Sequence, residues 1–240
     1  MYQLKELQSY LQNACVGHLL DVATGKGEFL HFLLESVASY DSATGLETNK
    51  ERLAIAKNKL FAYKVDLVLG NVRKLPFEEH YFDFVSVSNA LHHFELPVKA
   101  IQSMMRVLVS GGRLLINETI SEDLNPAQEA HFEYHNLKAD IDTANGIYHR
   151  HSYTRQEIYE LVFEAHVEVE KSILTIDEPP MLNSKEKIWQ FSHKIDEIIA
   201  TASELPLKNE YESRGWDLKE KIRTNGFQLA PQLSLIAYKP

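Results

Sequence analysis

Asp21 closes a short apolar run that passes into Gly25-Lys26-Gly27, and a helical pattern through Phe29, Leu30, Phe32, Leu33 and Leu34 follows directly. This is the order strand, glycine turn, helix. Glycine lacks the Cβ that would hold a ligand off, so such a turn brings backbone N–H groups and a helix N-terminus within reach of a bound group. The stretch reads as the floor of a nucleotide-type cofactor site. His92 and His93 are the second candidate group. A histidine titrating near neutrality suits proton removal in a transition state, and successive residues diverge by about 100° on a helix or turn. The two are therefore expected to divide their work: one serves as a general base, or one packs against the pocket while the other caps. His131 and His135 share a helical face at a spacing that metal ligands use. HFEYH is not the HExxH order, however, and no third ligand is fixed, so the segment reads as an amphipathic cover helix and no metal is expected.

These groups need a scaffold, and the alternation of patterns describes one. Tyr2, Leu4, Leu7, Tyr10 and Leu11 share one face of a first helix, read as a lid on a sheet edge. After the glycine turn a helix runs from Glu28 to Ala38, and SATGLE is a strand ending at Glu47. Thr48 with Glu51 fits a capping box opening a helix to Ala62. Lys64 to Leu69 is a third strand, Gly70-Asn71-Val72 a turn, and Phe82 to Ser88 a fourth strand. A helix from Leu96 to Leu108 is expected to end at Gly111-Gly112, before a fifth strand to Glu118. Pro126 to Ile141 reads as helical, Asn145-Gly146 as a turn, and Thr154 with Glu157 as the capping box of another helix. VEVEKSILT and Gln232 to Tyr238 are the last two strands. Repeated strand–helix units mean a parallel sheet covered on both faces by right-handed crossovers. The fold class is α/β, a Rossmann-like, doubly wound, seven-stranded and mostly parallel sheet with helical cover insertions.

The composition is consistent with that class. The 240 residues are 44% hydrophobic and 25% charged, enough for one large α/β domain. A net charge of -9 argues against nucleic acid as a partner. The single cysteine, Cys15, rules out an internal disulfide framework. The first residues alternate with a helical period and lack a signal-peptide core, and no run approaches the roughly 18 apolar residues of a membrane span. A cytoplasmic protein with no membrane partner is expected, monomeric or homodimeric.

The series DVATGKG, GLE, GNVRKLPF, FDFVSVSNALHHF and VLVSGGRLLINE resembles, in order, the class I S-adenosylmethionine-dependent methyltransferases. It is most similar to the small-molecule subgroup that includes the ubiquinone/menaquinone-biosynthesis methyltransferases. The resemblance is strong over Tyr10 to Glu118 and weak over Tyr153 to Thr175. It implies S-adenosyl-L-methionine as cofactor, a small-molecule methyl acceptor, and a last strand antiparallel to the rest. The implied cofactor residues are Asp21, Ala23, Thr24, Gly25, Gly27, Glu47, Thr48, Asn71, Val72, Ser88 and Asn89, with His92 and His93 as catalytic candidates.

Each part of that cofactor asks for a different partner. Glu47, at the carboxyl end of the second strand, suits the ribose hydroxyls, as acidic residues do in nucleotide-binding sheets. Asp21 would hold the glycine loop or, through water, the ammonium of the amino acid tail. Gly25 and Gly27 would let the backbone approach the tail and ribose, while Lys26 points to solvent. Ala23 stands where the family usually has glycine, and Asn71 where it commonly has the aspartate facing the adenine amino group; an amide oxygen still accepts that bond, without the charge. Val72 and either Leu46 or Thr48 would wall the adenine, and Ser88-Asn89-Ala90 would turn a backbone carbonyl to the ammonium. Methyl transfer needs chiefly an in-line acceptor and exclusion of water.

Two other readings compete. A protein that keeps the fold and binds S-adenosylmethionine without turnover fits the departures at Ala23 and Asn71. Ser121, Tyr134 and Lys138 also have the spacing of an NAD(P)-dependent short-chain dehydrogenase, with Asn89 as a fourth member. The glycine pattern opposes it, because Phe29 and Leu30 fall where TGxxxGxG and GxGxxG need glycine. The core is expected over 1–175 and 232–240 with a cover at 121–152, in which Tyr148 to Tyr153 could line an acceptor site. Residues 176–231 are expected to form a helical insertion, a lid or dimer interface. Pro179-Pro180 breaks the chain there, and Trp189, Phe191, Ile195, Ile198 and Ile199 are too apolar for water.

Overall fold

The computed structural model describes residues 4–176 and 185–240. Seven strands form one sheet: β1 (Cys15–Val22), β2 (Ser39–Glu47), β3 (Val65–Leu69), β4 (Phe82–Ser88), β5 (Leu108–Thr119), β6 (Val169–Thr175) and β7 (Gln232–Tyr238). Their order is β3-β2-β1-β4-β5-β7-β6. The pairs from β3 across to β5 are parallel, and β7 runs antiparallel between β5 and β6.

Successive residues of a strand face opposite ways, and here both faces are buried. Leu20, Val85, Leu114 and Leu235 enter one core with α4 (Pro97–Val107) and α6 (Arg155–Glu164). Their neighbours Leu19, Phe84, Leu115 and Ile236 enter the other with α1 (Lys5–Leu11), α2 (Glu28–Ser36) and α3 (Lys50–Lys59). That two-sided burial explains why the central strands read as unbroken apolar runs. α1 covers α2 and β6 through Leu4, Leu7 and Leu11; Tyr2 and Pro179-Pro180 lie outside the described residues.

A third core joins α5 (Pro126–Ala144), α7 (Lys185–Ala200) and α8 (Lys208–Asn225) through Ala130, Leu137, Ile141, Ile195, Tyr211, Leu218 and Ile222. Phe191, Ile198 and Ile199 pack on it, whereas Trp189 stays 66% exposed. Arg214 of α8 pairs with Asp140 of α5 at 2.7 Å.

Several local expectations change. Thr48 does not cap α3. Asn49 does, its side-chain oxygen accepting from Glu51 N and Arg52 N, while the Thr48 hydroxyl is turned to Glu47. Gly111-Gly112 does not end α4; it lies inside β5, where the pairing with β4 shifts register between Phe82 and Phe84. Gly111 takes φ +77 there, a bend that glycine makes without Cβ strain. The capping box of Thr154 and Glu157 on α6 is present, and a second joins Asn125 and Gln128 on α5.

Candidate functional site

β1 and β4 are adjacent strands whose onward connections go opposite ways, which opens a crevice at their carboxyl ends. A cavity of about 710 Å³ lies there. Its lining includes Asp21, Ala23, Thr24, Gly25, Glu47, Thr48, Asn71, Val72, Ser88, Asn89 and His93, all expected site residues. Gly27 and His92 are expected members that do not line it.

Both switch-point strands leave the sheet through left-handed, non-glycine residues, Ala23 at φ +57 after β1 and Asn89 at φ +48 after β4. Asn89 is held there by its own side chain, whose Oδ1 accepts from Thr119 N at 3.0 Å and Thr119 Oγ1 at 2.9 Å. Such backbone is uncommon outside glycine and asparagine and gathers at functional sites. The preference for glycine at position 23 has its physical cause in that φ.

The turn after β1 is tied on both sides. Thr24 N donates to Leu46 O, Gly27 N to Thr24 O, and Gly25 N to Glu47 Oε2 at 3.0 Å. Glu47 Oε1 accepts from Thr48 N, Thr48 Oγ1 and Asn49 N at 2.8–3.1 Å. A carboxylate has about four acceptor positions, so in this state Glu47 organises the loop as much as it faces the cavity. A Cβ at Gly25 would meet only Ala23 O at 3.9 Å, leaving the cavity side open. At Gly27 it would meet Leu60 at 3.0 Å and Ala56 at 3.3 Å, so this glycine faces α3 and serves the helix entry.

Asp21 is 1% exposed; its Oδ1 accepts from Ser86 Oγ at 2.7 Å, and its Oδ2 has no hydrogen-bond partner among the described residues. Burial, opposed by the Ser86 and Thr24 hydroxyls and with Glu47's charge adding a little, pushes the carboxyl up to about 6. Asn71 Oδ1 accepts from Arg73 N at 2.9 Å, Val72 and Leu46 are buried apolar walls, and Ser88 Oγ accepts from Asn117 Nδ2 at 2.9 Å. Lys26 is exposed, as expected.

The far end of the cavity is lined by His93, Lys138, Asp142, Ile147 and Tyr148. His92 and His93 lie in a short 3-10 turn after β4, with rings 4.3 Å apart. The tight turn brings the two neighbours together, and His149 lies beside both rings. His92 is buried, its Nδ1 2.9 Å from Glu118 Oε1, while Leu91 N donates to Glu118 Oε2. His131 and His135 do not act as a pair. His131 Nδ1 accepts from Ala230 N and its ring packs on Phe227, whereas His135 meets His92 and His149. Glu118, His149 and Asp142 are the members that sequence reading missed as a group. They lie far apart in the chain, and only the strand-end position of Glu118 hinted at a role.

The dehydrogenase constellation is not assembled. Tyr134 packs in the α5–α7–α8 core, Ser121 Oγ donates to Tyr153 O, and Lys138 pairs with Asp142. Among the described residues none of 185–240 lines the cavity. No helix among them is long and apolar enough to cross a membrane.

The sheet order and its antiparallel seventh strand match the Rossmann-like methyltransferase fold, and residues 20–116 match a family described as a methyltransferase domain. That segment spans β1 to β5, the part of the chain that builds the crevice. Over 118 residues the chain is 33% identical to a demethylmenaquinone methyltransferase of Oceanobacillus iheyensis, covering 48% of this chain and 50% of that protein. Over 125 residues it is 31% identical to the ubiquinone/menaquinone biosynthesis C-methyltransferase UbiE of Francisella philomiragia, covering 50% of each. The chain thus spans about half the length of the curated relatives it matches. A solved Haemonchus contortus phosphoethanolamine N-methyltransferase 2, in complex with S-adenosyl-L-methionine, superposes with a TM-score of 0.59 at 16% identity, covering 99% of this chain and 52% of that one. The [4+2]-cyclase SpnF gives 0.61 at 18%, covering 99% and 81%. At such identities the likeness is one of fold.

Proposed function

We propose that this chain transfers a methyl group from S-adenosyl-L-methionine to a small-molecule acceptor. The observation that carries the reading is the crevice itself, where a glycine turn open to the cavity, the Glu47 carboxylate and a buried carboxylate oxygen without a partner converge. These donors and acceptors suit the cofactor. Asp21 Oδ2 is a buried acceptor awaiting a donor, which an ammonium, directly or through water, supplies. Glu47 Oε2 carries one internal bond and keeps room for a ribose hydroxyl; release of the Thr48 hydroxyl frees a second place on Oε1. Leu46 and Val72 flank the position for adenine, with the Asn71 amide at its edge. Ser88 and Asn89 close the tail end.

The bound cofactor supplies an activated methyl on a sulfonium. The chain's contribution is to align an acceptor with the methyl–sulfur bond and keep water out. His93, Lys138, Asp142 and Tyr148 are proposed as the acceptor side, His93 being the histidine of the pair that lines the cavity. The relatives' names concern quinone precursors, but the matched family segment ends at residue 116, before α5 and the loop that line the acceptor end. The acceptor is therefore proposed only as a small molecule. Incubation with methyl-labelled S-adenosylmethionine and a metabolite mixture, followed by mass analysis, tests the reading. A labelled product that disappears in Glu47→Ala supports it, and none across oxygen, nitrogen, carbon and sulfur acceptors contradicts it.

A further inference from the structure

Beside the cavity, four imidazoles from three distant parts of the chain meet. The His92 ring lies 4.3 Å from His93, 4.7 Å from His135 and 5.3 Å from His149, and His93 lies 4.2 Å from His149. Three of them have one nitrogen occupied. His92 Nδ1 lies 2.9 Å from Glu118 Oε1, His149 Nδ1 2.7 Å from Asp142 Oδ2, and His135 Nδ1 3.2 Å from Ser152 Oγ. A carboxylate on one imidazole nitrogen fixes the tautomer and leaves the other nitrogen as a lone-pair donor, the arrangement found behind metal-bound histidines. One nitrogen each from His92, His93 and His149 lie within 4.8 Å of one another.

The geometry points to a binding site for one divalent transition-metal ion, of the zinc type, held by His92, His93 and His149 with His135 as the adjoining fourth imidazole. Nitrogens bound tetrahedrally at about 2.0–2.1 Å lie roughly 3.3 Å from each other. His149 Nε2 and His135 Nε2 are 3.3 Å apart already. A purely hydrogen-bonded arrangement accounts for only part of the cluster. His135 Nε2–H donating to His149 Nε2, and His149 Nδ1–H to Asp142, satisfies those two rings. It leaves His93 and the second nitrogen of His92 without a hydrogen-bond partner among the described residues.

His93 and Asp142 line the cavity, so the ion would sit in its wall with a remaining position for water or an acceptor oxygen. That use in the reaction rests on the methyl-transfer reading; ion binding does not. The test uses the untagged chain, stripped with chelator, titrated with Zn²⁺ by calorimetry and with Co²⁺ by absorption spectroscopy. One ion per chain is expected, with the visible bands of a low-coordinate cobalt site. Affinity should fall about a hundredfold or more in His149→Ala and in His93→Ala, and remain unchanged in His193→Ala, on the outer surface of α7. His93 is the more exposed member, so its variant keeps the fold if His149→Ala does not. No saturable uptake, or uptake unchanged in His93→Ala, overturns the proposal and leaves hydrogen bonding as the cluster's role. S-adenosylmethionine is titrated separately into the metal-free chain. Loss of that binding with ion uptake intact would sink the methyl-transfer reading and leave the ion site standing.

Discussion

Asp21 carries the sharpest consequence at the scale of single residues. Its carboxyl stands at about 6 against an ordinary 3.8, because the charged form is buried beside Glu47. A carboxyl raised on folding binds more protons folded than unfolded, so its contribution to stability declines as pH rises between those two values. Asp21→Asn keeps an oxygen for Ser86 and removes the buried charge. The variant is expected to melt higher than the wild type near neutral pH, with the advantage vanishing below the ordinary carboxylate range, as thermal unfolding across pH will show. Affinity for a cationic cofactor should move the other way. Calorimetry should find wild-type binding of S-adenosylmethionine weakening as pH falls through about 6 and a flatter, weaker profile in Asp21→Asn, on the order of tenfold at neutral pH. Identical profiles would remove Asp21 from the site.

Residue types made part of this site legible. Asp21, Gly25 and Glu47 follow from strand-end positions and the lack of a Cβ, and all three line the cavity. His92 and His93 were legible as chemistry but not as geometry, since the tight turn and the return of α5 and residues 147–153 set their neighbours. Of the partners, Glu118 left only its strand-end position as a signal and Asp142 and His149 left none, because side chains that meet through tertiary packing need no fixed spacing in sequence.

Elements were easier to read than their ends. β4 and β7 have the expected limits because apolar runs flanked by breakers define them. The start of α3 was misplaced by one residue because Thr48 and Asn49 are both good caps, and Glu47 captures the threonine. Asn49→Ala is expected to cost about 1 kcal/mol in denaturant unfolding, and Thr48→Ala less; the reverse order would restore Thr48 as the cap. Gly27 joins this scale. With φ +83 and Leu60 at 3.0 Å, Gly27→Ala combines left-handed strain with a clash against α3. A loss of about 1–3 kcal/mol is expected in the same measurement, and an unchanged midpoint would contradict the packing role.

At the scale of the molecule, a mostly parallel seven-stranded sheet follows from the strand–helix alternation and its antiparallel last strand from the family resemblance, and the sheet has both features. The helical insertion was visible as two amphipathic patterns, but not its seat. It packs on α5, whose Lys138 and Asp142 line the cavity. The division into a core of 1–175 with 232–240 and an insertion of 176–231 remains our reading of this arrangement.

The central claim is that the crevice between β1 and β4 binds S-adenosylmethionine, and calorimetric titration of that compound tests it without knowledge of the acceptor. Saturable one-site binding in the wild type, weakened at least about tenfold in Glu47→Ala at a temperature where both are folded, is the predicted result. No binding to the wild type, or equal affinity in the two proteins, would contradict it.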